Sequence, residues 1–260
     1  MSALSGQSAL ITGVGGGFGR AIALAIADAG AAVTLMARSD GVIGGLADQI
    51  REKGGHAQFF TGDVRDLADT RQIYDAHKSA HGIPDILINS ASLTEPYGPV
   101  GVVDPVQWWN TLAVHVLGAF NYMTVALPDM RAAGRGRIIN IASLDGETIR
   151  PNQSGYCVAK AAQIRLSEHV TQETAGSGVF VFAVHPGIAI SPVAETMLEN
   201  EDARRWIPDF IEAVKETKAH SEQSGDHRRC GIRCVALASG RFDHLAGPLI
   251  NFHTFEPETT

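Results

Sequence analysis

The stretch Thr12-Gly13-Val14-Gly15-Gly16-Gly17-Phe18-Gly19 decides the fold of this chain, because it places five glycines in seven positions. It follows the apolar run 8–11, which reads as a buried strand, and opens residues 18–29, whose apolar spacing is typical of a helix. Glycines there let the backbone turn sharply and approach a pyrophosphate, whose charge then rests on the helix N-terminus. The spacing is T-G-x-x-x-G-x-G and not the strict G-x-G-x-x-G. It predicts a dinucleotide site in preference to a flexible turn without a ligand, since unneeded glycines cost conformational entropy.

Outward from this turn, short apolar runs alternate with segments of helical spacing. The predicted strands cover 8–11, 32–37, 56–60, 85–89, 137–142, 179–184 and 248–252, and the predicted helices cover 18–29, 42–53, 66–81, 105–133, 154–177 and 227–238. The strand runs are continuously apolar, as expected for parallel strands buried on both faces. The pattern predicts an α/β fold, a doubly wound Rossmann-type parallel sheet of about seven strands. We expect one dinucleotide-binding and catalytic domain over 1–260, in which the irregular, charge-richer segment 188–225 covers the substrate.

Composition excludes several classes of function. The chain has 260 residues and a net charge of −7, and an acidic chain without a basic block is a poor candidate for nucleic-acid binding. No apolar run reaches the roughly 18 residues that span a bilayer, and the first basic residue is Arg20, which disfavours a secretory signal. Cys157, Cys230 and Cys234 fit neither a disulfide framework nor a zinc site. We therefore expect a cytoplasmic protein with a small-molecule ligand and no metal, membrane or nucleic-acid partner.

The end of the second predicted strand discriminates between the two nicotinamide cofactors. Many NAD sites carry an acidic residue there, which holds the ribose 2′-hydroxyl. This chain has Ala37 followed by Arg38, and a guanidinium suits a 2′-phosphate. Asp40 is a counter-signal three residues past the strand, and an ordinary surface arginine is the alternative interpretation of Arg38. The sequence favours NADP(H), with NAD(H) as the second choice.

Tyr156 and Lys160 are spaced i, i+4, so they share one face of the predicted helix. A free tyrosine has a pKa of about 10, but a nearby ammonium favours the phenolate and lowers that pKa. The pair could then exchange a proton with a carbonyl or an alcohol. Ser143 ends the fifth predicted strand, where its hydroxyl could hydrogen-bond the substrate oxygen. The alternative for Ser143 is a helix cap or a turn.

Together, the glycine motif, the Ser143 spacing and the Tyr-x-x-x-Lys motif resemble the short-chain dehydrogenase/reductase family, over nearly the whole chain. The resemblance implies hydride transfer between a nicotinamide and a carbonyl or alcohol carbon, and a homodimer or homotetramer. It gives Tyr156 the acid/base role and Ser143 the orientation of the substrate oxygen. Lys160 would bind the nicotinamide ribose and lower the Tyr156 pKa. The motifs and the resemblance together predict these cofactor contacts: Gly13, Gly17, Phe18, Gly19, Arg38, Asp63, Val64, Asn89, Ala91, Tyr156, Lys160, Pro186, Gly187, Ile188 and Ser191.

Two positions depart from the family pattern. Ser92 replaces a glycine that lets the backbone pass close to the cofactor. His115 replaces the asparagine of an Asn-Ser-Tyr-Lys tetrad, a residue that in the family helps to hold a water linking the lysine to solvent. An imidazole donates, accepts and titrates near neutrality, so His115 is a candidate catalytic residue. The alternative is a buried, hydrogen-bonded histidine without a catalytic part.

The substrate is the least determined part of the prediction. Tyr97, Ile149 and many apolar residues of 188–225 suggest an apolar substrate, unless the latter only pack against each other; these are Ile188, Ile190, Val193, Met197, Leu198, Trp206, Ile207 and Phe210. Three hypotheses follow: an NADP(H)-dependent oxidoreductase, a protein of this fold recruited to isomerisation or cyclisation, and a dinucleotide sensor without turnover. The intact Ser143, Tyr156 and Lys160 favour the first.

Overall fold

Seven parallel strands form one sheet in the order β3-β2-β1-β4-β5-β6-β7, in a computed structural model that describes residues 2–187, 192–219 and 226–257. The strands are β1 Ser8–Thr12, β2 Ala32–Ala37, β3 Ala57–Thr61, β4 Ile86–Asn89, β5 Gly136–Ile141, β6 Val179–His185 and β7 Leu249–Asn251. The order reverses between β1 and β4, where Ile11 pairs with Ile88. The predicted doubly wound Rossmann-type sheet of seven strands is therefore confirmed.

Helices cover both faces of this sheet. They are α1 Gly17–Asp28, α2 Asp40–Glu52, α3 Leu67–His81, α4 Pro105–Leu112, α5 Gly118–Ala133, α6 Ser154–Glu173, α7 Pro192–Glu199, α8 Glu201–Trp206, α9 Pro208–Ala219 and α10 Asp226–Ala238. One hydrophobic core joins the sheet to α1, α2 and α10, and a second joins it to α3, α5 and α6. The strands read as continuous apolar runs because both of their faces are covered.

The helix boundaries follow from local chemistry. The Asp66 carboxylate accepts hydrogen bonds from the backbone N–H groups of Ala68 and Asp69, which begins α3. Asp104 does the same for α4, with a proline at the first helical position. Gly134 ends α5 in the left-handed conformation, at φ +66°. Between α4 and α5 the chain forms one π-helical turn, Ala113–Leu117. Such turns are frequent at functional sites, and His115 lies at the centre of this one.

The segment 188–225 differs from its prediction. Where the structure describes it, the segment forms the three helices α7, α8 and α9 and is not irregular. The helices are short, and Pro208 begins the last of them, so the sequence offers no long stretch of helical spacing. Their apolar faces pack against each other and against Tyr97 in a separate small core. We call these three helices the cover segment.

Pro105–Ala133 is the one described helical stretch with the length and composition to cross a membrane. Of its most apolar window, 44% is buried inside the protein, and α5 belongs to the core under the sheet. A core helix passes the same test of composition. Within the described ranges, no group of three histidines, cysteines or acidic residues has the arrangement to hold a metal ion.

Candidate active site

A cleft of about 630 Å³ runs along the carboxyl edge of the sheet, from the glycine turn to Tyr156. It is lined by these predicted residues: Gly13, Gly17, Phe18, Gly19, Arg38, Asp63, Val64, Ala91, Ser143, Tyr156, Lys160, Pro186 and Gly187. Segments far apart in the chain meet here because parallel strands present all their carboxyl ends at one edge. Ile188 and Ser191 lie outside the described residues.

The glycine turn is pressed against the end of β4. A Cβ atom on Gly13 would lie 2.4 Å from the backbone nitrogen of Ala91, and the φ of Gly13 is +73°. A Cβ on Gly19 would lie 2.2 Å from the carbonyl oxygen of Gly13. Only glycine fits at either position. No described side chain caps the first turn of α1, and Gly15, Gly16 and Gly17 line the cleft, so the turn fits the phosphates of a dinucleotide.

The outer part of the cleft carries basic side chains. Arg38 is exposed immediately after the last residue of β2, Ala37, and both line the cleft. Asp63 is held by Arg65, whose Nε donates to its carboxylate at 2.9 Å and which also contacts Asn110. These hydrogen bonds lower the pKa of Asp63, and the charge of Arg38 lowers it further. This region therefore suits the ribose and phosphate end of a dinucleotide.

Ser143 lies at the start of a 3₁₀ turn that follows β5. Its Oγ accepts a hydrogen bond from the backbone N–H of Asp145 at 3.2 Å and donates to the Asp145 carboxylate at 3.3 Å. Asp145 in turn accepts from the Arg150 guanidinium at 2.6 Å. The next backbone N–H, that of Leu144, donates to Nδ1 of His185 at the end of β6. The hydroxyl is thus fixed by its own turn and faces the cleft.

Tyr156 is half-buried at the inner end of the cleft, one helical turn before Lys160. Burial raises the pKa of the phenol well above its ordinary value, the charge of Asp145 raises it further, and Ser143 and Arg150 oppose the shift. The Lys160 Nζ lies 5.6 Å from the centre of the tyrosine ring. It donates to the carbonyl of Ile141 at 2.5 Å and to Gln163 Oε1 at 3.2 Å.

Burial is the main cause of the raised Tyr156 pKa in this structure, and the effect of Lys160 on the phenol stays a prediction. Burial dominates both groups, and it lowers the pKa of Lys160 to about 7, so the lysine carries a full charge only in acidic solution. The Lys160 ammonium donates its hydrogen bonds to Ile141 and Gln163 and none to the phenol oxygen. The phenol therefore stays protonated at neutral pH in this arrangement.

His115 and Asn89 stand behind the wall of the cleft and do not line it. The His115 Nε2 is 2.8 Å from the carbonyl oxygen of Leu93, and Nδ1 has no partner among the described residues. The imidazole meets the Tyr156 ring edge-to-face, with 5.5 Å between the centroids. Burial and then the charge of Lys160 hold its pKa well below the ordinary value, so it is neutral. Asn89 donates to Asn140 Oδ1 at 2.8 Å and joins β4 to β5.

The predicted substrate contacts are partly wrong. Ile149 is 93% exposed and does not line the cleft, because its loop turns the side chain to solvent. Tyr97 does not line the cleft either, because it is 3% exposed and packs in the core of the cover segment. Met197 and Phe210 line the cleft, whereas Trp206 and Ile207 do not. Ile188 and Ile190 lie outside the described residues, as does the side chain of Val193.

Several cleft residues were not found from the sequence. Leu93 and Thr94 follow the β4 turn, while Arg150 and Gln153 lie in the loop that leads to α6. For Arg150 and Gln153, the available signal was their position between Ser143 and Tyr156. Chemically, the inner cleft combines a protonated phenol, a fixed hydroxyl and apolar walls, an arrangement that can donate a proton to an oxygen atom.

Comparison with known proteins agrees with this geometry. The profile of the short chain dehydrogenases matches residues 7–202. Oxidoreductase UcpA of Salmonella typhimurium is 30% identical over 251 residues, which cover 95% of this chain and 93% of UcpA. The crystal structure of a protein assigned to the short-chain dehydrogenases/reductases from Burkholderia xenovorans superposes with a TM-score of 0.84, at 30% identity and 96% coverage of both chains.

A second crystal structure adds a bound nucleotide. It is that of a protein from Beutenbergia cavernae assigned as an NAD(P)-dependent gluconate 5-dehydrogenase, and it contains NADP at low occupancy. It superposes with a TM-score of 0.80, at 27% identity and 96% coverage of both chains. With the sheet order, the glycine turn and the Ser143, Tyr156 and Lys160 arrangement, these matches show that the chain belongs to the short-chain dehydrogenase/reductase family of oxidoreductases.

Proposed function

We propose that this protein transfers hydride between NADP(H) and the carbonyl or secondary alcohol of a small molecule, with Tyr156 as the acid/base. The observation that carries the proposal is the cleft itself. It begins at a glycine turn with room only for backbone and ends at the half-buried phenol of Tyr156 beside the Ser143 hydroxyl. A dinucleotide lying along it would reach the phenol with its nicotinamide end.

Each side chain has a defined task in this proposal. The nicotinamide, when bound, supplies the hydride. Tyr156 donates a proton to the oxygen that becomes the hydroxyl, and Ser143 orients that oxygen. Burial raises the pKa of Tyr156, so the phenol is protonated at neutral pH and can act as the proton donor in carbonyl reduction. Lys160 would hold the nicotinamide ribose, after its ammonium turns from the Ile141 carbonyl.

NADP(H) is the proposed cofactor because no carboxylate occupies the end of β2. Ala37 is buried there, and Arg38 beyond it is exposed and lines the cleft. A guanidinium can form two parallel, charged hydrogen bonds with a 2′-phosphate, whereas a 2′-hydroxyl offers only a weaker, neutral hydrogen bond. The relative from Beutenbergia cavernae, which was crystallised with NADP, supports this choice.

We also propose that the cover segment closes over the substrate as part of a single domain. Ala194, Met197, Phe210 and Val214 of α7 and α9 line the cleft on the side away from the sheet. Asn152 lies in the loop between Ser143 and α6, and its Nδ2 donates to the carbonyl of Trp206 in the cover segment at 2.8 Å. The cover is therefore anchored beside the reacting groups.

The activity test uses purified protein, NADPH and a panel of cyclic and aliphatic ketones, followed by the absorbance of the reduced nicotinamide. We expect at least one ketone to consume NADPH, with NADH about tenfold less efficient. Tyr156→Phe should lower kcat by about a hundredfold or more, because it removes the proton donor. Tight NADPH binding without consumption on any ketone would contradict the proposed activity.

The His115→Asn variant tests the part played by the histidine. An asparagine amide can also donate to the Leu93 carbonyl, so we expect turnover to stay within about threefold of the wild type or to increase. His115→Leu should lower turnover more than His115→Asn, since it leaves the Leu93 carbonyl without a hydrogen-bond donor. Steady-state kinetics measure both. A loss of more than about tenfold in His115→Asn would show that the imidazole has a specific task.

A homo-oligomer in the cytoplasm completes the proposal. Exposed apolar side chains follow one another from the loop before α4, through the π-helical turn, into α5, each between 42% and 75% exposed: Val102, Val106, Trp109, Leu117 and Phe120. Such a row is unusual on a monomer and marks an interface between proteins. We expect light scattering at micromolar concentration to give a dimer or tetramer and Phe120→Asp to shift it towards the protomer. A wild-type protein that is monomeric would refute the interface.

A further inference from the structure

Two polar side chains of the loop before α6 line the cleft but have no task in the proposed reaction. Arg150 and Gln153 both lie within six residues of Tyr156, and the loop that carries them starts at Ser143. They face the space that remains for the substrate between the catalytic groups and α9. Their chemistry therefore bears on what the substrate must carry.

Arg150 is fixed by two neighbouring side chains and keeps unused hydrogen-bond donors. Its Nε and Nη2 donate to a single oxygen of Asp145, at 3.2 and 2.6 Å. Its guanidinium also lies over the ring of Phe210, 3.7 Å from the centroid. An arginine has five N–H donors, and those not used on Asp145 have no hydrogen-bond partner among the described residues. A cation fixed by an ion pair and an aromatic ring loses little conformational freedom when it binds an anion.

Gln153 is the second unsatisfied group. Its side chain is 2% exposed, and Oε1 has no hydrogen-bond partner in the described part of the chain. A carboxylate cannot donate to this oxygen, so Gln153 would bind one through the N–H donors of its Nε2. Rotation of the amide presents either its oxygen or its NH₂ group to the cleft.

On the basis of the proposed function, we propose that the substrate carries a carboxylate that binds Arg150, with Gln153 as the second hydrogen-bond partner. Its carbonyl or hydroxyl group then lies at Tyr156 and Ser143. The carbon skeleton between the two groups lies against the apolar side chains of Leu93 and Met197. On this proposal the substrate is a keto acid or hydroxy acid, whereas the sequence suggested an apolar ketone or alcohol.

A guanidinium favours a carboxylate over a neutral polar group for two reasons. Its planar N–H donors match the two carboxylate oxygens, and hydrogen bonds between charged partners are about twice as strong as neutral ones. Asp145 does not block this role, since both of its contacts with Arg150 are made through one oxygen and use one edge of the guanidinium.

Binding of an unreactive probe tests the site without relying on turnover. Calorimetry on the full chain saturated with NADP⁺ compares cyclohexanecarboxylate with cyclohexanecarboxamide. We expect the wild type to bind the acid about ten to a hundred times more tightly than the amide. Arg150→Met should abolish this preference, and Gln153→Met should reduce it. The control is Arg165→Met, which removes an arginine that is 74% exposed on α6 and pairs with Glu168.

Turnover separates this proposal from the proposed function. The ratio of kcat/KM for 4-oxocyclohexanecarboxylate over its methyl ester should exceed about ten in the wild type and fall to about one in Arg150→Met. Equal binding of acid and amide, or a ratio unchanged by Arg150→Met, would overturn the carboxylate site while leaving a ketone reductase in place. Arg150-dependent acid binding without consumption of NADPH on any ketone would instead keep the site and refute the reductase.

Discussion

The contact between Gly13 and the end of β4 is the constraint on which the rest of the structure depends. A Cβ atom at this position would overlap the backbone of Ser90 and Ala91, and Gly19 repeats the constraint against Gly13 itself. The turn between β1 and α1 can therefore pack against the end of β4 only if position 13 carries no side chain. Beside this contact lies the cleft, at the point where the strand order reverses. It runs along the edge where the parallel strands present their carboxyl ends.

The chemistry is assembled at the other end of the same edge. Ser143 follows β5, Tyr156 enters on α6, and the cover segment crosses above them. Burial, more than any single charge, sets the protonation of these groups, because it raises the pKa of Tyr156 and lowers that of Lys160. A neutral phenol beside a fixed hydroxyl suits proton donation to a carbonyl, and the ion pair of Asp145 with Arg150 adds a polar end to an otherwise apolar pocket.

The sequence predicted the sheet well because parallel strands are continuous apolar runs with glycine at their junctions, and the observed bounds differ by one or two residues. It missed the helices of 188–225, whose short lengths and charged faces hide their apolar spacing. It misplaced Ile149, since a loop's direction is set by tertiary contacts and not by its composition. The sequence placed Lys160 beside Tyr156 but did not show how strongly burial raises the pKa of the phenol, because helical spacing carries no information on burial. Arg150 was overlooked because a lone arginine belongs to no motif, and its position between Ser143 and Tyr156 was the one signal that it faces the cleft.

The most direct test of the account is a calorimetric titration of NADPH into the wild-type protein, Gly13→Ala and Gly45→Ala. A Cβ at position 45 meets nothing within 4 Å, so that variant controls for loss of a glycine as such. The account predicts that the wild type and Gly45→Ala bind NADPH alike, whereas folded Gly13→Ala binds at least about tenfold more weakly. A wild-type protein that does not bind NADPH, or a Gly13→Ala variant that binds it equally well, would contradict the claim that this turn builds the cofactor site.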